Sequence, residues 1–295
     1  MSFLLKKMIQ KQRADFAALS EKRDATLLFP DDVTVIENIS YRPDAATAHR
    51  MDVFRPSATE RTLPIIINVH GGGLMMGTKE FNRFFCAQLC KLGFVVFSIE
   101  YRLIPEVTVF DQLGDITAAM DFVKYHSLIY GGDPLHIYMV GDSAGAYLIT
   151  YAVAISNNPV LANASGVTPS GLHVNALGLI SGMFYTRRMD EIGLFLPKLL
   201  YGKSYRHSPF FPYTNPEHPE IIKHLPPCFL VTSHDDHLHH YTADFAAALK
   251  RIDKRHRLID YDKDNRLTHA FSVFEPTMDK SLEVLEKMTG FLLRN

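Results

Sequence analysis

The chain has 295 residues, of which 47% are apolar and 21% charged, and its formal net charge is −1. That length suits one large domain with a sizeable core, or two small ones; the charge balance suggests no polyanion partner and no basic stripe interleaves with aromatics, so neither nucleic acid nor an anionic membrane is an expected partner. Cys86, Cys90 and Cys228 are too few, and odd in number, for a disulfide framework; they fit a reducing compartment, the cytoplasm.

In chain order, residues 1–30 read as a broken amphipathic helix carrying Phe3, Leu4, Met8, Phe16 and Leu19. Charges interrupt this segment too often for the apolar run of a secretory signal. No run of eighteen apolar residues occurs anywhere, so no membrane span is expected. Two strand-like runs follow, 33–41 and 48–54, too close together for a crossover helix and therefore expected as an antiparallel edge. The run 64–69 (PIIINV) is continuously apolar and β-branched, as in a parallel strand buried on both faces. Further runs of this kind fall at 94–100, 136–140, 176–180, 228–232 and 258–261, with helical patterns at 81–92, 111–126, 144–155, 241–250 and 281–293. Cys86 and Cys90, four apart on one of those helices, read as small core hydrophobes rather than a redox or metal pair. Alternation of strand and helix predicts an α/β fold with a mostly parallel sheet of about eight strands and helices on both faces. Only the aromatic- and proline-rich stretch 183–227 breaks the pattern, and it reads as a helical insert over the top of the sheet.

Chemistry enters at Gly141-Asp142-Ser143-Ala144-Gly145, between a strand-like run and a helical one. This is the context of a nucleophile elbow, in which glycines two before and two after the serine let neighbouring backbone approach a strained turn. His70-Gly71-Gly72-Gly73 directly follows the buried run. Successive glycines can aim backbone amides at one point, and no Gly-Lys-Ser/Thr follows to suggest a phosphate loop. With the elbow, the better reading is an oxyanion hole made by the amides of Gly72, Gly73 and Ala144.

These motifs, with EYRLIPE at 100–106, a late Asp-x-Leu and THAF at 268–271, resemble the hormone-sensitive-lipase-like family of α/β-hydrolases, particularly its microbial carboxylesterases. The resemblance covers residues 70–271 in matching order and implies an α/β-hydrolase fold with a cap, here expected from residues 1–30 and about 183–215 of a single domain. It implies a serine carboxylesterase whose cap covers the active site and selects substrates; an aromatic cap enclosing a small pocket favours short- to medium-chain acyl esters, and no cofactor is expected. Ser143 is the expected nucleophile and His269 the base, in the order Ser, acid, His. Where the family reads Asp-Pro-Leu, this chain has Asp236-His237-Leu238, which points to Asp236 as the acid with Asp235 as fallback. Tyr101, Arg102 and Glu106 are expected to form a buried corner behind the glycine loop, and Asp142 to satisfy nearby backbone or the Arg102 region. Leu74, Met75 and Met76 are candidates for the substrate pocket or, equally, for core packing. His234, His237, His239 and His240 crowd the acid, but without helical ligand spacing they read as a solvated polar turn, and no metal is expected. A binding protein on the same scaffold, or a hydrolase of amides or lactones, remains the alternative, and self-association is left open.

Overall fold

The computed structural model describes residues 3–295; the side chains of residues 3–6 and 195, including those of Phe3 and Leu4 in the expected apolar stripe, lie outside the described residues, as do residues 1 and 2. At its centre, β1 (Val33–Ser40), β2 (Arg50–Pro56), β3 (Leu63–Val69), β4 (Val95–Ile99), β5 (Gly132–Asp142), β6 (Ala176–Ile180), β7 (Cys228–Ser233) and β8 (His256–Tyr261) form one sheet. The strand order is β1-β2-β4-β3-β5-β6-β7-β8. β1 and β2 make the expected antiparallel edge, and all pairs from β4 onward are parallel. Every residue of β4, β6 and β7 is buried, which is why these strands read as mostly apolar runs instead of alternating ones.

The helices are α1 (Phe3–Asp24), α2 (Arg83–Lys91), α3 (Val109–His126), α4 (Ala144–Asn157), α5 (Pro159–Ser165), α6 (Glu191–Phe195), α7 (Pro197–Tyr201), α8 (Pro219–Ile222), α9 (His239–Arg251), α10 (Phe271–Phe274) and α11 (Asp279–Leu292). Side chains of α3, α4 and α9 join one core on one face of the sheet, and those of α2 and α11 join a second core on the other. This is the three-layer α/β arrangement that the alternation predicts. Cys86 and Cys90 pack in the second core as free, buried thiols. Among the described residues no helix is long and apolar enough to cross a membrane.

Two elements differ from the sequence reading. α1 is one continuous helix, and Met8 and Leu19 are 52% and 66% exposed. Its inward edge is Ile9, Arg13, Phe16, Ser20 and Arg23, spaced four and three apart, so polar side chains carry much of the docking. α5 was not anticipated, although Asn158 accepts from the Val160 amide at its start, proline follows, and Gly166 closes it at φ 70°. The stretch after β6 contains the short helices α6 and α7; the Tyr201 hydroxyl of α7 bonds that of Tyr147 on α4 (2.8 Å) and that of Thr186 within the same stretch (2.7 Å).

Candidate active site

Ser143 stands between the last residue of β5 and the first of α4, with φ 50° and ψ −114°. A non-glycine residue is strained there and persists only where its surroundings over-determine it. They do so here. The Ser143 amide donates to Ile180 O (2.8 Å) and its carbonyl accepts from the Met183 amide (3.0 Å). A Cβ on Gly145 would lie 2.0 Å from Val69 O, and one on Gly141 would lie 2.6 Å from the Gly145 carbonyl carbon, so both glycines are required by close backbone approach. The serine side chain thus projects into a cavity at the carboxyl edge of the sheet, above the amino end of α4.

The glycine loop forms one wall of that cavity. Gly72 and Gly73 have φ 109° and 61°, and the Gly72 carbonyl accepts from the Met75 and Met76 amides (3.1 and 3.0 Å). The Gly71 amide is taken by Asp142 (3.1 Å), whereas among the described residues those of Gly72 and Gly73 meet no protein acceptor. The Ala144 amide, in the first turn of α4, is likewise beyond reach of a helical partner. Behind the loop, buried His70 stacks on Tyr101 with ring centroids 4.4 Å apart, and the Tyr101 hydroxyl donates to His70 O (2.8 Å). Burial opposes a charge on His70, but its bonds to Glu100 and the Gly71 carbonyl outweigh this and raise its pKa. Gln112 ties the Leu74 carbonyl to that of Arg102, at 2.9 and 2.8 Å.

The corner expected behind the loop is therefore present at Tyr101, with corrections around it. Arg102 forks onto the buried Asp115. Asp142 pairs with Gly71 and with Asn82 Nδ2 (2.8 Å) and does not reach the Arg102 region; burial pushes its carboxyl above the usual range. Glu106 is mostly exposed and receives Arg13 of α1. No local motif marks Asn82, Asp115, Gln112 or Arg13, because their partners are distant in sequence.

His269 lies after β8, just before α10, and Nδ1 donates to Asp236 Oδ1 at 2.7 Å. Asp236 is 4% exposed and also accepts from the Leu238 amide (2.8 Å) and the Thr232 hydroxyl (3.2 Å). Burial alone would raise its pKa; the His269 hydrogen bond and charge, the Ser181 hydroxyl and the Leu238 amide outweigh burial and hold it at about 2. Asp235, the fallback acid, is only half-buried, and it is Asp236 that His269 meets. Ser143 and His269 line the same cavity of about 500 Å³, and among the described residues no hydrogen bond joins them. Phe16, Met75, Met76, Phe81, Met183 and Ile192 supply most of its apolar wall. Of the three pocket candidates, Met75 and Met76 line the cavity, whereas Leu74 is fully buried in the core.

The family model described as BD-FAE matches residues 51–193. A probable isoprenylcysteine alpha-carbonyl methylesterase of Arabidopsis thaliana is 28% identical over 72% of this chain and 47% of its own length. A probable carboxylic ester hydrolase of Mycobacterium tuberculosis, LipM, is 32% identical over 41% of this chain and 29% of its own. The chain spans about half the length of the first of these curated relatives. Among solved structures, esterase B from Lactobacillus rhamnosis superposes with a TM-score of 0.91 at 22% identity, covering 98% of this chain and 94% of that one. At that identity the likeness establishes the fold, which is that of the α/β-hydrolases.

Proposed function

We propose that this chain, an α/β-hydrolase of the hormone-sensitive-lipase-like kind, hydrolyses carboxylic esters through a covalent acyl-Ser143 intermediate. One observation carries the reading: a buried carboxylate fixes an imidazole beside the cavity into which a strained serine and unpaired glycine amides also project. With Nδ1 of His269 committed to Asp236, Nε2 is the nitrogen left to act as base. Ester binding has to draw Ser143 and His269 into hydrogen-bonding distance, a closure common at hydrolytic sites. The Ser143 hydroxyl then attacks the acyl carbon as its proton passes to Nε2. The carbonyl oxygen takes the electron pair and is held by the amides of Gly72, Gly73 and Ala144. Collapse expels the alcohol, which carries away the proton from His269, and water repeats the sequence to release the acid.

We read the chain as one domain whose cap is α1 together with residues 183–215. The cavity volume and the methionines and aromatics around it support short- to medium-chain acyl groups. The names of the curated relatives, esterases in both cases, support the ester over the amide or lactone. The Asp236–His269 pair supports turnover over binding alone, and the three free, buried cysteines support a cytoplasmic setting. A p-nitrophenyl ester series from acetate to decanoate tests the reading, with highest kcat/KM expected at acetate or butyrate. Faster turnover of matched amides or lactones would overturn it.

A further inference from the structure

The turn between β7 and α9 holds more polar side chains than the triad uses. His234 immediately follows β7, and its amide donates to Tyr261 O on β8 (3.0 Å). His239 is the first residue of α9, and Asp260 lies on β8 opposite Thr232. The turn itself is closed by the Asp236 amide on Ser233 O (3.0 Å) and the His239 amide on Asp236 O (2.9 Å). Three side chains from three elements therefore converge on backbone that is already fixed.

We propose that His234, His239 and Asp260 form a site for one borderline divalent transition ion, of which zinc is the type case. His239 Nε2 lies 3.0 Å from both Asp260 oxygens, and His234 Nε2 lies 3.9 Å from Oδ1. All ligand atoms fall within 4.8 Å of one another. A tetrahedral zinc with bonds of about 2.0–2.2 Å needs ligand separations of roughly 3.3–3.5 Å. The observed distances straddle that range, so small side-chain rotations complete the site. Two imidazoles and one carboxylate suit zinc and its neighbours rather than calcium or magnesium, which take oxygen. The three side chains are 51%, 25% and 30% exposed, so an ion can enter and a fourth position stays open to water. From sequence alone the histidines look like a solvated turn; the third ligand, Asp260, is contributed by the neighbouring strand and is invisible to local spacing.

The bound ion staples the turn that carries Asp236 to β8, outside the reaction itself. A second group, Asp236 and His237 of the same turn with His269 from the loop before α10, also brings ligand atoms together, but it contains the acid–base pair and serves as the control.

The full-length chain, stripped with chelator and desalted, is titrated with zinc by calorimetry and by thermal shift. One equivalent is expected to bind and to raise the thermal midpoint by a few degrees. His234→Ala and Asp260→Asn should each weaken binding at least tenfold while leaving metal-free ester turnover unchanged, and His237→Ala should bind as wild type does. Cobalt in place of zinc should give visible ligand-field bands that vanish in the first two variants. No binding by wild type, binding that survives both variants, or binding lost in His237→Ala overturns the proposal, whatever the fate of Ser143 as nucleophile.

Discussion

At the scale of single residues, two neighbouring glycines make opposite demands. A Cβ on Gly72 would sit 2.0 Å from the Met76 carbonyl oxygen, whereas one on Gly73 meets nothing within 4 Å. Gly72→Ala must therefore shift the loop and misplace its amides, and a hundredfold or greater fall in kcat is expected, at roughly 3 kcal/mol of lost transition-state stabilisation. Gly73→Ala carries only the backbone cost of a left-handed alanine, about 1 kcal/mol of stability, and keeps most of the activity. Parallel denaturation and steady-state kinetics on the two variants check the contrast. Asp236 makes a second residue-scale prediction. Its pKa is depressed on folding to about 2, so its stabilisation is present above the ordinary carboxylate range and is lost as pH falls through the folded value. Between about pH 5 and pH 2 the wild type should lose about 2 kcal/mol that Asp236→Asn does not lose, as measured by urea denaturation at each pH. At neutral pH the same variant should turn over roughly a thousand- to ten-thousandfold more slowly.

At the scale of elements, legibility tracked how local each signal is. Continuous apolar runs marked β3, β4, β6 and β7 because burial on both faces leaves a pattern within each segment. Gly141 and Gly145 were readable because the tight turn of β5 onto α4 and the close approach of β3 to α4 leave their trace beside the serine itself. Arg13 was not, since its meaning lies in atoms sixty to ninety residues away. It donates to the carbonyls of Met75 (2.7 Å) and Ile104 (2.9 Å) and pairs with Glu106, so α1 is strapped to the segment that follows the glycine loop. The exposed ion pair is worth little, but charge-assisted bonds to half-buried carbonyls are worth more. Arg13→Ala should raise KM several-fold by loosening the α1 wall of the cavity, with kcat and the melting temperature of the sheet little changed. Kinetics and thermal unfolding on the same preparation separate these effects.

At the scale of the whole molecule, parallel strands carry Ser143, the Asp236 turn and the glycine loop to one edge of the sheet, which is where open α/β sheets place their sites. Order along the chain was enough to propose this, since the elbow, acid and base occur in the sequence that the fold requires. The composition of the cavity was not legible, because α1, the glycine loop, α6 and α10 each contribute one or two side chains to it. Among the described residues its lining includes Asp142 and Glu191 but no lysine or arginine. Neutral esters should accordingly be preferred over esters bearing a free carboxylate, and p-nitrophenyl butyrate against a succinate monoester measures that preference. The most direct test of the nucleophile is mass spectrometry after exposure to an organophosphate. A single adduct mapped to Ser143, formed in step with loss of ester turnover and absent from a folded Ser143→Ala variant, is the predicted result; an intact Ser143 in a protein that still hydrolyses esters after exposure would contradict it.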